Sequence, residues 1–252
     1  MSFHELAGRV AVISGASKGL GEAMALALAD AGVNLGLIAR DENLLQRVSA
    51  AARARGVRAE VYPADITSEE QVERAAGACI QTFGAVNILI NNAGVNVRKP
   101  VQDFTLAEWR QVVETNLTGA FLLTRALVPT IIRQKGGRII NMASMMSHIA
   151  LPGRTAYCAS KAGLVGFTRA LALEIAPHGA TANAICPGPF ATEMNMPLLS
   201  NPELNQQFIS RIPVGRWGKV EDIGQLAVYL CSDSASFITG ADLVIDGGWT
   251  AQ

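Results

Sequence analysis

The chain has 252 residues, half of them apolar, with 24 glycines spread along its length; that is enough for one complete α/β domain and too apolar for a disordered polymer. Lysine plus arginine and aspartate plus glutamate both number 21, and no basic run with interleaved aromatics appears, which argues against a nucleic-acid partner and leaves a small molecule as the expected one. Cys79, Cys158, Cys186 and Cys231 are widely separated with no C-x-x-C pair, so no zinc site or disulfide framework is indicated, and buried thiols in a reducing compartment are expected. His4, Glu5 and Arg9 stand where a signal peptide needs an apolar core, and no uninterrupted apolar run reaches about 18 residues. A cytoplasmic protein without a membrane span is therefore expected.

In chain order, the first strand is expected in RVAVIS (9–14), followed by the glycine turn SGASKGLG (14–21) and a helix in GEAMALALADA (21–31). Gly15, Gly19 and Gly21 have the spacing G-x-x-x-G-x-G. Gly15 permits the tight turn, Gly19 lets backbone approach a pyrophosphate, and Gly21 lets helix and strand pack closely. The helix amino terminus then offers free N–H groups and a positive dipole end to the anion. The second strand, VNLGLIA (33–39), ends with Arg40 where many NAD sites place an acid on the ribose. Arg40 and Lys18 are candidates to hold a 2′-phosphate, which favours NADP(H) with NAD as the alternative. Two solvated loop cations, or partial neutralisation by Asp41, are the competing readings.

Further strands are expected in RAEVYPAD (58–65), NILINNAG (87–94), GRIINMAS (137–144), ATANAICPG (180–188) and DLVIDGG (242–248). Helical spacing fills 41–56, 68–84, 106–132 and 156–179. Seven near-continuously apolar strands alternating with helices imply a doubly wound parallel sheet with helices on both faces, in one domain spanning 1–252. The stretch from Ala191 to Val220 breaks the alternation, with prolines at 197, 202 and 213. It reads as a substrate lid at about 191–215, or as a plain surface excursion.

In AYCASKAG (156–163), Tyr157 and Lys161 are four apart and share a helix face among small residues. A phenol titrates near 10, too high for ready proton exchange at neutral pH. A cation about 4 Å away is worth on the order of 4 kcal/mol at an effective dielectric near 20, equivalent to about three pKa units, while desolvation opposes it. The lysine prevails only if it is close.

Taken together, SGASKGLG, NNAG (91–94), Asn116 in ETNLTG, Ser144 in NMASMM, YCASK (157–161) and PG (187–188) resemble the short-chain dehydrogenase/reductase family along nearly the entire chain. The resemblance implies a catalytic tetrad of Asn116, Ser144, Tyr157 and Lys161, in which Ser144 hydrogen-bonds the substrate oxygen and Asn116 positions a relay water for Lys161. It implies cofactor contacts from Ser17 and Leu20 in the glycine turn, from Asp65 and Ile66 by the adenine, and from Asn91, Asn92, Ala93 and Gly94 after the fourth strand. Ile185, Pro187, Gly188 and Thr192 are implied at the nicotinamide end, with Lys161 on the ribose. A homotetramer and a carbonyl or alcohol substrate follow from the same likeness, while the aspartates in PADIT and VIDGG stand without a cluster of acids, so no metal site is expected.

The substrate is less determined. One similarity is to gluconate 5-dehydrogenase and the sugar-acid or polyol branch, where Arg98 or Arg154 could meet a carboxylate or hydroxyls. The other is to 3-oxoacyl carrier-protein reductases, and a non-catalytic dinucleotide sensor is the reading from another class. His148 could face substrate or solvent. Met145, Met146, Met194 and Met196 could form a pliable pocket wall or fill core.

Overall fold

The computed structural model of the chain describes residues 4–252. Its centre is one seven-stranded sheet, all parallel, in the order β3-β2-β1-β4-β5-β6-β7. The strands are β1 (Val10–Ser14), β2 (Asn34–Ala39), β3 (Ala59–Pro63), β4 (Ile88–Asn91), β5 (Arg138–Met142), β6 (Thr181–Pro187) and β7 (Asp242–Ile245). All seven fall within the segments expected from sequence. Every residue of β1, β4, β5 and β6 is buried, which is why their sequences lack the polar alternation of a half-exposed strand.

The helices are α1 (Gly19–Asp30), α2 (Glu42–Arg53), α3 (Glu69–Phe83), α4 (Leu106–Val113), α5 (Gly119–Ile131), α6 (Thr155–Ile175), α7 (Met196–Leu199), α8 (Pro202–Ile209) and α9 (Val220–Cys231). One core layer joins the sheet to α1, α2 and α9 through Met24, Leu28, Leu45, Val48, Ile223 and Ala227. A second joins the opposite face to α3, α5 and α6 through Val72, Ala76, Leu123, Leu127, Leu171 and Ile175. Cys79 and Cys231 lie in these layers with their thiols pushed up to about 12 by burial, as inert core cysteines should be.

Two elements differ from the sequence expectation. The single helical stretch over 106–132 is interrupted by a π-turn at Glu114–Thr118, which carries Asn116 into the interior. Such bulges leave no periodicity signal and recur where a side chain must be re-aimed. Helix α9 was not among the expected helices, although Ile223, Ala227 and Leu230 repeat at helical spacing along it. It packs on α1, where a Cβ on Gly224 would stand 3.0 Å from the Ala23 carbonyl oxygen and 3.0 Å from Ala27 Cβ.

The segment after β6 leaves the sheet through a pinched base. Phe190 bridges Gly218, the Gly218 N–H donates to Pro189 O at 2.9 Å, and the Ala191 N–H donates to Gly218 O at 3.3 Å. Between them, Phe208 stacks on Trp217 with ring centroids 5.5 Å apart and meets Trp249 at 5.4 Å. No helix among the described residues is long and apolar enough to cross a membrane.

Because the α1–α9 contact has no room for a side chain, Gly224→Leu is expected to destabilise the fold by about 1–3 kcal/mol. A thermal melt should show a midpoint lowered by several degrees, and an unchanged midpoint would contradict the packing described.

Candidate active site

A cleft of about 1080 Å³ crosses the carboxyl ends of the strands. It sits over β1 and β4, where the strand order reverses direction and parallel sheets of this type bind ligands. Of the site residues expected in the tetrad and cofactor set, Asn91, Ile185, Gly21 and Asn116 do not line it.

At one end lies the glycine turn. Gly15 and Gly19 adopt φ of 63° and 60°, the left-handed region that favours glycine. A Cβ on Gly19 would meet nothing nearer than Thr192 Cγ2 at 3.8 Å, so the backbone there is open to a ligand. A Cβ on Gly21, by contrast, would fall 2.2 Å from Gly15 O and 2.5 Å from Asn92 Nδ2. Gly21 serves close packing beneath the turn. Lys18 is the N-cap of α1 and provides no side-chain cap, leaving the first N–H groups of the helix to a ligand anion.

The turn is fastened to β4. Asn92 Nδ2 donates to Ser14 O at 3.1 Å and to Gly15 O at 3.0 Å, while Ser14 Oγ accepts the N–H groups of Asn92 at 3.0 Å and Ala93 at 3.2 Å. Asn92 thus lines the cleft, but its amide is committed to the turn. Its neighbour Asn91 corrects the expectation of a cofactor contact. As a strand residue it points to the other side of the sheet edge, where its buried Nδ2 donates to Thr124 Oγ1 at 2.9 Å and Asn141 Oδ1 at 2.8 Å. Ile185 likewise belongs to the core.

Toward the adenine end, Asp65 Oδ1 accepts from the Thr67 N–H at 2.9 Å and hydroxyl at 2.8 Å. Burial raises the Asp65 pKa, but these bonds and the nearby Arg40 outweigh it and hold the group below its usual value. Asp41 caps α2, accepting from Leu44 N–H at 3.0 Å, while Arg40 is exposed at the cleft edge. Lys18, expected beside Arg40 on a phosphate, forms an ion pair with Glu193. Glu193, like Phe190 and Asn195 on the same excursion and Gln111 and Thr115 from the α4 side, lines the cleft without having been a sequence candidate. The Lys18–Glu193 pair joins positions 175 residues apart, which no local pattern reveals.

At the other end, Ser144, Tyr157 and Lys161 come together on the cleft wall. Ser144 caps a short 3₁₀ turn, its Oγ accepting from Met146 N–H at 3.1 Å. Lys161 is 3% exposed, donates to Met142 O at 2.5 Å, and has Nζ 5.7 Å from the Tyr157 ring centroid. Burial pushes its ammonium down to about 8. The Tyr157 phenol is held above its ordinary value, with burial the largest influence; the Ser144 hydroxyl and the charges of Arg154 and Arg98 pull it down, and Cys158 pushes it up. The expected lowering by Lys161 is therefore not the governing effect, because the amine is drawn to the Met142 carbonyl.

Asn116 sits behind this wall, 1% exposed. Its Oδ1 accepts from Val95 N–H at 2.8 Å, and its Nδ2 donates to Val95 O and Ser160 Oγ, both at 3.0 Å. A Cβ on Gly94 would lie 3.2 Å from Asn116 Oδ1 and 3.4 Å from Lys161 Nζ, so both groups converge above Gly94. His148 faces neither substrate nor open solvent alone; its Nε2 meets Asp242 Oδ2 at 3.0 Å, and Asp242 Oδ1 meets Arg169 at 3.1 Å. Met145 and Met146 pack with Ile212 and Trp249 behind Tyr157. Met196 is 52% exposed, and the Met194 side chain lies outside the described ones. No group of three or more His, Cys, Asp or Glu side chains with metal-ligand spacing gathers among the described residues.

Residues 15–250 match the family described as enoyl-(acyl carrier protein) reductase. Among similar proteins, gluconate 5-dehydrogenase from Gluconobacter oxydans is 34% identical, the match covering 98% of this chain and 96% of that protein. The 3-oxoacyl-[acyl-carrier-protein] reductase of Aquifex aeolicus is also 34% identical, over 97% and 98%. Among solved structures, a putative gluconate dehydrogenase from Agrobacterium tumefaciens superposes with a TM-score of 0.95 at 36% identity, over 100% of both chains. An NAD⁺-bound xylitol dehydrogenase gives 0.92 at 33% identity, over 97% of this chain and 100% of that one.

The buried, carboxylate-free setting of Lys161 has a measurable consequence. The folded chain releases the Lys161 proton at about pH 8 and the unfolded chain at 10.5. The burial penalty is therefore full below pH 8 and fades as pH rises to 10.5. At roughly 1.4 kcal/mol per pKa unit it is on the order of 3 kcal/mol, less about 1 kcal/mol for the bond to Met142. Lys161→Met is expected to be more stable than the parent at pH 7, by a margin that shrinks between pH 8 and 10.5. Paired denaturant titrations across that range check this, and a margin independent of pH would refute it.

Proposed function

The chain belongs to the short-chain dehydrogenase/reductase family, and on that premise we propose that it is an NADP(H)-preferring oxidoreductase acting on a secondary alcohol or ketone such as a sugar acid or polyol. The observation that carries the reading is the meeting of Ser144, Tyr157 and Lys161 on one wall of the cleft whose far end is the open glycine turn. The cradle fits a dinucleotide in its volume of about 1080 Å³, in the bare backbone at Gly19 and in the uncapped start of α1. Bound there, the nicotinamide supplies or accepts the hydride.

The chain's own residues do the rest. The glycine turn and α1 amino terminus would hold the pyrophosphate, and Asp65 and Ile66 would flank the adenine. Ala93, Gly94, Pro187, Gly188 and Thr192 would border the remainder, with Lys161 on the ribose hydroxyls. Tyr157 exchanges a proton with the substrate oxygen, and Ser144 donates a hydrogen bond to that oxygen as charge develops on it. With the phenol raised by burial, Tyr157 is held in its protonated form, and release of that proton to the substrate oxygen depends on the positive charges around it. Asn116 acts as a positioning residue; its Oδ1 and Lys161 Nζ stand close enough for one water to join them as the start of a proton relay.

The excursion over 191–215 is read as a lid, tied to the cofactor turn by Lys18 and Glu193. The NADP(H) preference rests on Arg40, which lines the cleft beside Asp41, one of whose carboxylate oxygens is taken up as a helix cap. A cytoplasmic homotetramer belongs to the same reading, supported by exposed apolar side chains such as Leu173 and Phe121 on α6 and α5. The 3-oxoacyl carrier-protein reductase and non-catalytic readings are separated from it by the same assay.

Oxidation of NADPH and NADH is followed in parallel across keto-sugar acids, ketoses and acetoacetyl esters. Tyr157→Phe is expected to lower kcat by about 100-fold to 10,000-fold with the fold intact; turnover at the parent rate would overturn its role. Preference for the acetoacetyl ester would support the acyl-reductase reading instead, and silence across the panel would support the binding protein. Arg40→Ala should lower kcat/KM with NADPH by roughly 10-fold to 100-fold and leave NADH nearly unchanged. A parent that prefers NADH tenfold or more would reverse the cofactor assignment.

A further inference from the structure

Lys18 and Arg40 both line the cleft, but in different surroundings. They share one rim, because the Ala16 N–H of the glycine turn donates to Ile38 O of β2 at 3.3 Å, two residues before Arg40. Arg40 acts on the Asp65 carboxylate through its charge. Lys18 is in direct contact with a carboxylate, that of Glu193 on the excursion after β6. The start of that excursion is fixed over the glycine turn. Phe190 O accepts from the Thr192 N–H at 2.9 Å and from Asn195 Nδ2 at 3.0 Å, and Phe190 itself bridges Gly218. Thr192 then stands over Gly19, where its Cγ2 would lie 3.8 Å from an added Cβ. Glu193, the next residue, is thereby planted beside Lys18 and lines the cleft with it.

The Lys18 and Glu193 side chains are 55% and 69% exposed, so their pair is a solvent-screened contact of low energy that a stronger anion can displace. A phosphate monoester carries a charge of about −1.5 to −2 at neutral pH. It needs the ammonium for itself, and a lysine is a compact point charge rather than a fork with donors to spare. A dinucleotide with a free 2′-hydroxyl makes no such demand. We infer that Glu193 discriminates between cofactors by competing with a 2′-phosphate for Lys18: NADP(H) must break the Lys18–Glu193 pair on binding, whereas NAD(H) leaves it closed. The carboxylate thus offsets part of what Lys18 would contribute to NADP(H) binding, and leaves Arg40 as the main recognition group. This rests on the reading of the cleft as a dinucleotide site and adds a residue that sets its cofactor selectivity.

The test measures dissociation constants for NADPH and NADH by following cofactor fluorescence as each is titrated with the full chain. The parent, Glu193→Gln, Lys18→Met and the double variant are compared. Glu193→Gln keeps the size of the side chain and removes its charge. It is expected to tighten NADPH by about 2-fold to 5-fold and to leave NADH within about 1.5-fold. Lys18→Met should weaken NADPH, and adding Glu193→Gln to it should then change NADPH affinity by less than about 1.5-fold, since the carboxylate has no lysine left to withhold. Adenosine 2′,5′-bisphosphate and 5′-AMP should repeat the NADPH and NADH patterns respectively, a readout independent of turnover.

Unchanged NADPH affinity in Glu193→Gln would overturn the competition, as would a gain of the same size in the Lys18→Met background. An equal gain for NADH would move the effect from the 2′-phosphate to the pyrophosphate and overturn the discrimination. A parent that binds neither cofactor would sink the dinucleotide reading and the competition with it. A parent that prefers NADH would remove only the NADP(H) preference proposed above, and a gain for NADPH in Glu193→Gln would still support the role of Glu193.

Discussion

The close approach of α1 to the end of β1 is the constraint on which the cleft depends. The Gly21 Cα sits so near the Gly15 carbonyl that a single methyl group would overlap it at 2.2 Å. With that gap closed, the helix points its uncapped first turn across the sheet edge. The Ser14 hydroxyl and the Asn92 amide then lock the turn to β4 through four hydrogen bonds. Two strands adjacent in the sheet but distant in sequence thereby share one rigid rim, and the space between their ends becomes a site rather than a loop surface.

The Ser144–Tyr157–Lys161 end is set by a different device, a chain of buried amides and hydroxyls. Asn91 reaches Thr124 on α5 and Asn141 on β5; Asn141 Nδ2 reaches Thr168 on α6 at 2.8 Å, and Thr168 Oγ1 returns to Leu164 O at 2.7 Å. These groups fix the height of α6 against the sheet, and a shift along the helix would leave several of them unsatisfied in the interior. The π-turn adds a second tie, because Asn116 holds Ser160, whose hydroxyl donates to Tyr157 O at 2.8 Å. Tyr157 and Lys161 are thus registered against Ser144 by polar contacts that lie behind the cleft wall.

Much of this could be read from the sequence because its causes are local. Strands buried on both faces leave continuous apolar runs, and a glycine that must lack a side chain leaves a glycine. Tyr157 and Lys161 announce a shared helix face by their spacing. What the sequence did not reveal is non-local. Asn91 and Asn92 look alike as a pair, yet strand alternation sends one into the amide network and the other onto the glycine turn. The partner of Lys18 lies on the excursion after β6, and the π-turn leaves the apolar spacing of its neighbours undisturbed. The balance of charges on Tyr157 stayed open in the sequence for the same reason: the carbonyl that Lys161 meets belongs to β5.

That balance bears on how the site works. Burial holds the phenol protonated and presses the Lys161 ammonium toward neutrality, so desolvation works against both charged forms. The folded chain tolerates this because the buried core on both sheet faces supplies the stability that the site withdraws. Ligand sites trade stability for binding, since a group already satisfied by protein partners has little left to offer a ligand. Lys161, with one carbonyl as partner, and Arg154, with no carboxylate among the described residues, are the cations left least satisfied near Tyr157. A polar cofactor in the cleft would supply Lys161 with partners that the protein withholds.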